Sequence, residues 1–192
     1  MASPDPVLHL IAGPNGAGKS TLATRVIVPV THLPFVNADV IAVQRWPQAQ
    51  AAHAYDASRV AAEQRRSLIA DRESFITETV FSHPSKLALI DDALNAGYHV
   101  TLHVVLLSES LTVARVADRV RRGGHSVPED KVRERYHRLW ALVAQARTLA
   151  EHTHVYDNSS AATPLRRIAS YERGQLVGTP DWPTWTPGDL SL

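Results

Sequence analysis

Apolar residues in this chain gather in short runs, separated by longer stretches in which they recur every three or four positions. The runs at 7–12, 34–37, 74–77, 99–107 and 153–156 have the length of strands, and the apolar character of most extends to both faces. The intervening stretches predict helices over 20–28, within 48–70, over 84–95 with a stop at Gly97, over 111–122 and over 128–151. For the last of these, Ser126 and Glu129 make an S-x-x-E pattern with Pro128 beside the first turn. Strands alternating with helices, without a long linker or repeat, predict an α/β fold: a three-layer sandwich around a mostly parallel five-stranded sheet. Residues 162–169 read as a further helix. "YERGQLVG" after them reads as a short hairpin turning at Arg173 and Gly174. The tail "GTPDWPTWTPGDL" has no periodicity; its tryptophans suit the covering of core edges in an ordered strap, although a floppy end fits the pattern too.

With 192 residues, one domain carrying every site is the expectation, with the tail at about 174–192. The formal net charge of +1 offers no broad field for a nucleic-acid backbone, and the absence of cysteine excludes disulfides, thiolate metal sites and cysteine nucleophiles. Ten histidines show no spacing suited to zinc. The chain has no charged-then-apolar leader and no apolar run near ~18 residues, so a cytoplasmic address without a membrane is expected.

Chemistry enters with "AGPNGAGKST", which follows the first strand and opens the first helix. Gly13, Gly18, Lys19 and Ser20 fit GxxxxGK[ST], the phosphate loop of kinases and other nucleotidases. Such a loop turns the backbone N–H groups of Gly13, Pro14, Asn15, Gly16, Ala17, Gly18 and the residues after it, proline excepted, toward phosphate oxygens. Lys19 reaches the β and γ groups, Ser20 ligates magnesium, and Thr21 follows in the helix's first turn. ATP and Mg²⁺ are therefore the expected cofactors.

In parallel sheets, reactive groups collect beyond the carboxyl ends of the strands. Asp39, in "FVNADV", stands at the end of the second strand, where a carboxylate can accept the proton of an alcohol; it, or Asn37, also suits a helix cap. Glu78 and Thr79 leave the third strand, where a carboxylate can hold magnesium through water or grip an acceptor. Glu63, inside a helix, reads on its own as solvated. Between 115 and 138 lie 8 of the chain's 20 Lys and Arg against four acids, and Gly123 and Gly124 allow bending. This predicts a helical arginine-rich lid, with Arg119 and Arg122 as the first candidates to meet the γ-phosphoryl group, His125 next, and Arg133 and Arg135 last. Asn158, in "YDNSS", falls where an adenine edge rests in such folds, or simply makes a turn.

With the phosphate loop, "NAD", "TET", the arginine-rich segment and "YDNSS" in this order, the chain over residues 6–160 resembles the zeta toxin family of P-loop kinases. The resemblance implies a nucleoside-kinase type of sheet. It also implies ATP- and magnesium-dependent phosphorylation of the 3'-hydroxyl of the amino sugar in UDP-N-acetylglucosamine, and a helical antitoxin that blocks the nucleotide site. It gives Asp39 the catalytic role, matches Glu78 to a glutamate opening the loop after strand three with Thr79 in place of a glycine, and raises Glu63 to an acceptor contact. Arg119 matches one of two lid arginines. The second falls near His125, a departure that puts the sugar-nucleotide acceptor in question and leaves Arg122 as a substitute. A P-loop ATPase driving a protein partner, and a kinase of another small molecule or of nucleic-acid ends, are the alternatives; neither an NKxD signature nor an apolar strand ending in Asp is present for the first.

Overall fold

The computed structural model describes residues 4–122 and 127–191. Seven strands form one sheet: β1 (Val7–Ala12), β2 (Phe35–Val36), β3 (Phe75–Thr79), β4 (His99–Leu106), β5 (His152–Asp157), β6 (Arg166–Glu172) and β7 (Gln175–Val177). Their order is β2-β3-β1-β4-β5-β6-β7. The first five in that order are parallel, as expected for strands joined by helical crossovers. β6 and β7 extend the sheet antiparallel, so it has seven strands rather than five.

The two extra strands correct the helix expected at 162–169. Leu165 takes φ 53, a left-handed conformation that no helix passes through, and the chain leaves it extended. β6 then pairs with β5, burying Ile168, Ala169 and Tyr171. The expected hairpin turn is present, with Arg173 and Gly174 both at positive φ between β6 and β7.

The first helix runs as α1 (Lys19–Leu22), a π-helical turn (Ala23–Ile27) and α2 (Val28–Thr31), ending where His32 turns left-handed. The remaining helices are α3 (Ala38–Arg45), α4 (Ala54–Ala70), α5 (Ser85–Asn95), α6 (Glu109–Arg121), α7 (Glu129–Leu149) and α8 (Gly188–Ser191). One sheet face, with Leu8, Leu10, Phe75, Leu102 and Val104, builds the larger core with residues of α3, α4, α5 and α7. The opposite face, with Ile11, Ile76 and Val105, packs against Leu22, Ala23 and Ile27 of the first helix. Next to that smaller core, three imidazoles cross the sheet: His9 Nδ1 is 3.1 Å from His103 Nε2, and His103 and His154 are paired residues of β4 and β5.

The tail is an ordered strap. Trp182 and Trp185 pack against the larger core, Leu190 is fully buried, and Arg147 of α7 donates to the Leu190 carbonyl at 2.9 Å. Asp181 is tied to β6 through its backbone N–H to Ile168 and an ion pair with Arg166. Among the described residues, no helix is long and apolar enough to cross a membrane.

Candidate active site

β1 delivers the chain into the 13–18 loop at the carboxyl edge of the sheet. Gly13 sits at φ 151, and a Cβ there would lie 2.5 Å from the Val105 carbonyl oxygen of β4, so no side chain fits. Gly18, at φ 97, caps α1 just before Lys19, and a Cβ on it would meet the Asn158 amide nitrogen at 2.5 Å. Within the loop, Ala17 N–H donates to the Pro14 carbonyl at 3.3 Å, and buried Lys19 donates its Nζ proton to the same oxygen at 2.9 Å. Asn15, Gly16, Gly18, Lys19, Ser20 and Thr21 line a cavity of about 870 Å³, in the size range of ligand sites.

Asn158 supports this loop from behind. Its Nδ2 donates to the Ala17 carbonyl at 2.7 Å, and its Oδ1 accepts from Leu165 N–H at 3.1 Å. Arg115 of α6 completes the brace, donating to the Asn158 carbonyl at 2.8 Å and to the Gly16 carbonyl at 3.5 Å. The polar atoms of the Asn158 side chain are thus directed at protein, and Arg115, which sequence reasoning did not single out, shares the task.

Asn37 and Asp39 divide two roles that the sequence left open between them. Asn37, 3% exposed, caps α3 by accepting from Asp39 N–H at 2.6 Å and Val40 N–H at 3.2 Å. The Asp39 carboxylate takes no part in the cap and lines the cavity. Glu78, near the end of β3, accepts the Ser20 hydroxyl proton at 2.8 Å through Oε1, while its buried Oε2 has no hydrogen-bond partner among the described residues. Burial pushes the Glu78 carboxyl above its ordinary value; Lys19 and the Ser20 hydrogen bond pull it back in part, and Asp39 pushes it further up. Burial likewise draws the Lys19 ammonium below its usual range, against the opposing pull of Glu78 and Asp39. Arg119, in the last turn of α6, reaches the same cavity and depresses Lys19 further.

The structure thus brings together Lys19, Ser20, Asp39, Glu78, Thr79 and Arg119. It does not bring Glu63 or Arg122 to them. Glu63 is exposed and 3.9 Å from Arg59 on the same helix, while Arg122 is largely in solvent with its Nε 2.9 Å from Asp118. Helix phase accounts for Glu63: α4 turns Ala54, Ser58 and Arg65 into the cavity, and a residue two positions before Arg65 lies about 200° round the helix. His125, with Gly123, Gly124 and the expected Ser126 cap, lies outside the described residues. Arg133 pairs with Glu109 and Glu129 at the surface, whereas Arg135 and Lys131 of α7 line the cavity, Lys131 also pairing with Glu134. Arg65 and Lys86 also line it and escaped sequence reasoning, because nothing local tells which face of a charged helix turns inward.

A phosphate loop at the carboxyl edge of a parallel sheet, facing two carboxylates and an arginine carried by α6, defines the P-loop kinase class. Within that class the chain belongs to the zeta toxin family, whose sequence profile matches residues 1–167. A curated relative, an uncharacterized protein of Haemophilus influenzae, is 32% identical over 125 residues, covering 65% of this chain and 88% of its own. Among solved structures, the fold is similar to that of the AvrRxo1-ORF1:-ORF2 complex with ATP, with a TM-score of 0.71, 17% identity and coverage of 90% of this chain and 60% of that one. It is also similar to a structure of the PezAT chromosomal toxin-antitoxin system of Streptococcus pneumoniae, with a TM-score of 0.60, 13% identity and coverage of 82% and 70%.

Proposed function

We propose that the protein is an ATP- and magnesium-dependent kinase that transfers a γ-phosphoryl group to an alcohol, with a sugar nucleotide such as UDP-N-acetylglucosamine, through the 3'-hydroxyl of its amino sugar, as the acceptor. The observation that carries this reading is the uncapped Asp39 carboxylate lining the same cavity as Lys19, Ser20 and Arg119.

In this reading the loop N–H groups and Lys19 hold the β and γ oxygens, and the cation charge stabilises the negative charge that builds as the terminal P–O bond breaks. Asp39 accepts the acceptor's hydroxyl proton while that oxygen attacks phosphorus, and ADP leaves with the bond electrons. Arg119 approaches the equatorial oxygens from α6. Thr79 and Glu78 bound the acceptor side of the loop, and Asn158 keeps the loop in shape for the nucleotide. Ser20 and Glu78 are the residues that would hold Mg²⁺, for which the unpartnered Glu78 Oε2 beside the Ser20 hydroxyl is a suitable hard-oxygen donor. Magnesium held there would supply positive charge against the phosphate oxygens. Since AvrRxo1-ORF1:-ORF2 is a complex and PezAT a toxin-antitoxin system, a protein antitoxin closing this cavity belongs to the same proposal.

The test is incubation with ATP, Mg²⁺ and UDP-N-acetylglucosamine, followed by mass spectrometry of the sugar nucleotide for one added phosphoryl group. Asp39→Asn is expected to cut turnover on the order of 100-fold with ATP affinity retained, the effect of removing a general base. Near wild-type turnover in that variant would remove Asp39 from the mechanism, and ATP hydrolysis stimulated by a protein rather than by any alcohol would favour a switch ATPase.

A further inference from the structure

In the same cavity, two cationic side chains are partly buried with no carboxylate in ion-pair reach among the described residues. Arg65 comes from α4 and Lys86 from the first turn of α5, and both line the cavity. The Arg65 guanidinium donates to the neutral Thr77 hydroxyl, at 3.5 Å. Several exposed arginines, by contrast, sit beside carboxylates: Arg59 has Glu63, Arg72 has Asp5, Arg121 and Arg122 share Asp118, and Arg138 has Glu134. Those pairs are solvated and worth little. The two partly buried cations are where a partner would stabilise most, yet neither makes an ion pair among the described residues.

Both line one cavity, and burial holds both below their ordinary values, with Arg66 depressing Arg65 further and Arg65 depressing Lys86. Desolvated like charges raise the free energy of the unliganded protein; an anion seated between them offsets both desolvation and repulsion. That anion is not the nucleotide's, because the phosphate loop and Lys19 at the start of the first helix, with Arg119 of α6, form a separate cradle.

We propose that Arg65 and Lys86 form a second anion subsite, which holds a phosphoryl group carried by the acceptor and so turns the acceptor's free hydroxyl toward Asp39. The subsite selects phosphorylated acceptors over neutral alcohols, and it does so from helices that take no part in holding ATP. The proposal rests on the kinase reading for its account of orientation, but the subsite itself can be tested by binding alone.

The protein is first saturated with the non-hydrolysable analogue AMP-PNP and Mg²⁺ to fill the phosphate loop. It is then titrated by calorimetry with inorganic pyrophosphate, with UDP-N-acetylglucosamine and with neutral N-acetylglucosamine. Arg65→Gln with Lys86→Gln is expected to weaken both phosphorylated probes by about 30-fold or more, the loss of two charge-assisted contacts, and to leave the neutral sugar unchanged. Retained AMP-PNP affinity reports that the variant is folded, and Arg65→Lys is expected to recover part of the loss. Failure of pyrophosphate and UDP-N-acetylglucosamine alike to bind the nucleotide-loaded wild type, or equal binding by wild type and the double variant, overturns the subsite. Binding that depends on Arg65 and Lys86, without phosphoryl transfer in the wild type, would uphold the subsite while removing the kinase reading.

Discussion

Replacing Asn158 by alanine separates two roles that a sequence reader would confuse. The truncation removes the donor to the Ala17 carbonyl at 2.7 Å and the acceptor for Leu165 N–H at 3.1 Å. It spares the backbone contacts of residue 158, which donates to the Leu106 carbonyl and accepts from Arg115. Two partly buried hydrogen bonds at about 1 kcal/mol net each give a loss of about 2 kcal/mol. In a chain of this size that lowers the melting temperature by roughly 4–8 °C. Part of the loss falls on the conformation of the phosphate loop, because Ala17 lies inside it; if about 1.4 kcal/mol does so, phosphate affinity drops tenfold.

The assay pairs thermal unfolding with calorimetric titration by ATP and by inorganic triphosphate, each with Mg²⁺. If Asn158 braces the loop, both ligands weaken by the same factor, since triphosphate has no adenine. An unchanged melting temperature, with a loss confined to ATP, would refute the brace and return Asn158 to the adenine edge.

Glu78→Gln is expected to abolish magnesium-dependent tightening of ATP binding, read by titration with and without the metal. It also tests linkage: a carboxyl whose folded value is raised holds its proton longer in the native state than in the unfolded chain. Its burial therefore costs stability progressively as pH rises through the raised value, and the glutamine variant should flatten that decline in melting temperature above about pH 4.5. His103 works in the opposite direction. It is 5% exposed and pushed down to about 3 by burial and by its neighbours His9 and His154, so it stays neutral when folded but protonates in the unfolded chain near 6.5. Stability should fall as pH drops from about 6.5 toward 3, by at most about 1.4 kcal/mol per pH unit from this group. His103→Leu should reduce that slope in pH-dependent unfolding, and an unchanged slope would shift the effect to other groups.

What was legible in the sequence was whatever local geometry dictates. Gly13 and Gly18 announce the phosphate loop because their backbone angles admit no side chain without a clash. Asp39 could be placed because the end of a parallel strand is a fixed place in such a fold, although only the structure shows that Asn37 takes the cap and leaves the carboxylate unengaged by it. Illegible features depend on the phase or partner of an element. Glu63 and Arg65 look alike in a charged helix, and α4 turns the second inward because its apolar face, with Ala57, Val60 and Ala61, is fixed by packing on the core. β6 read as a helix because "PLRRIASYE" lacks strict alternation; it is extended because β5 offers it an open edge. The ordered tail depends on contacts between Trp182, Trp185 and Leu190 and residues far away in the chain.

Charge shows most plainly how placement overrides composition. A net charge of +1 argues against a field for anions, yet among the described residues the cavity is lined by Lys19, Arg65, Lys86, Arg119, Lys131 and Arg135 against only Asp39 and Glu78. Net charge is a sum over the surface, whereas a cleft with low-dielectric walls focuses the charges that line it. The balancing acids lie elsewhere, spent on surface pairs such as Asp118 with Arg121 and Glu134 with Arg138. The shape of this concentration also bears on the partner. A nucleic-acid backbone calls for a basic stripe running along a face, but here the cations converge from α1, α4, α5, α6 and α7 on one cleft of about 870 Å³. Two small anions brought together in one cleft would use such an arrangement, as the proposed transfer from ATP to a phosphorylated acceptor requires.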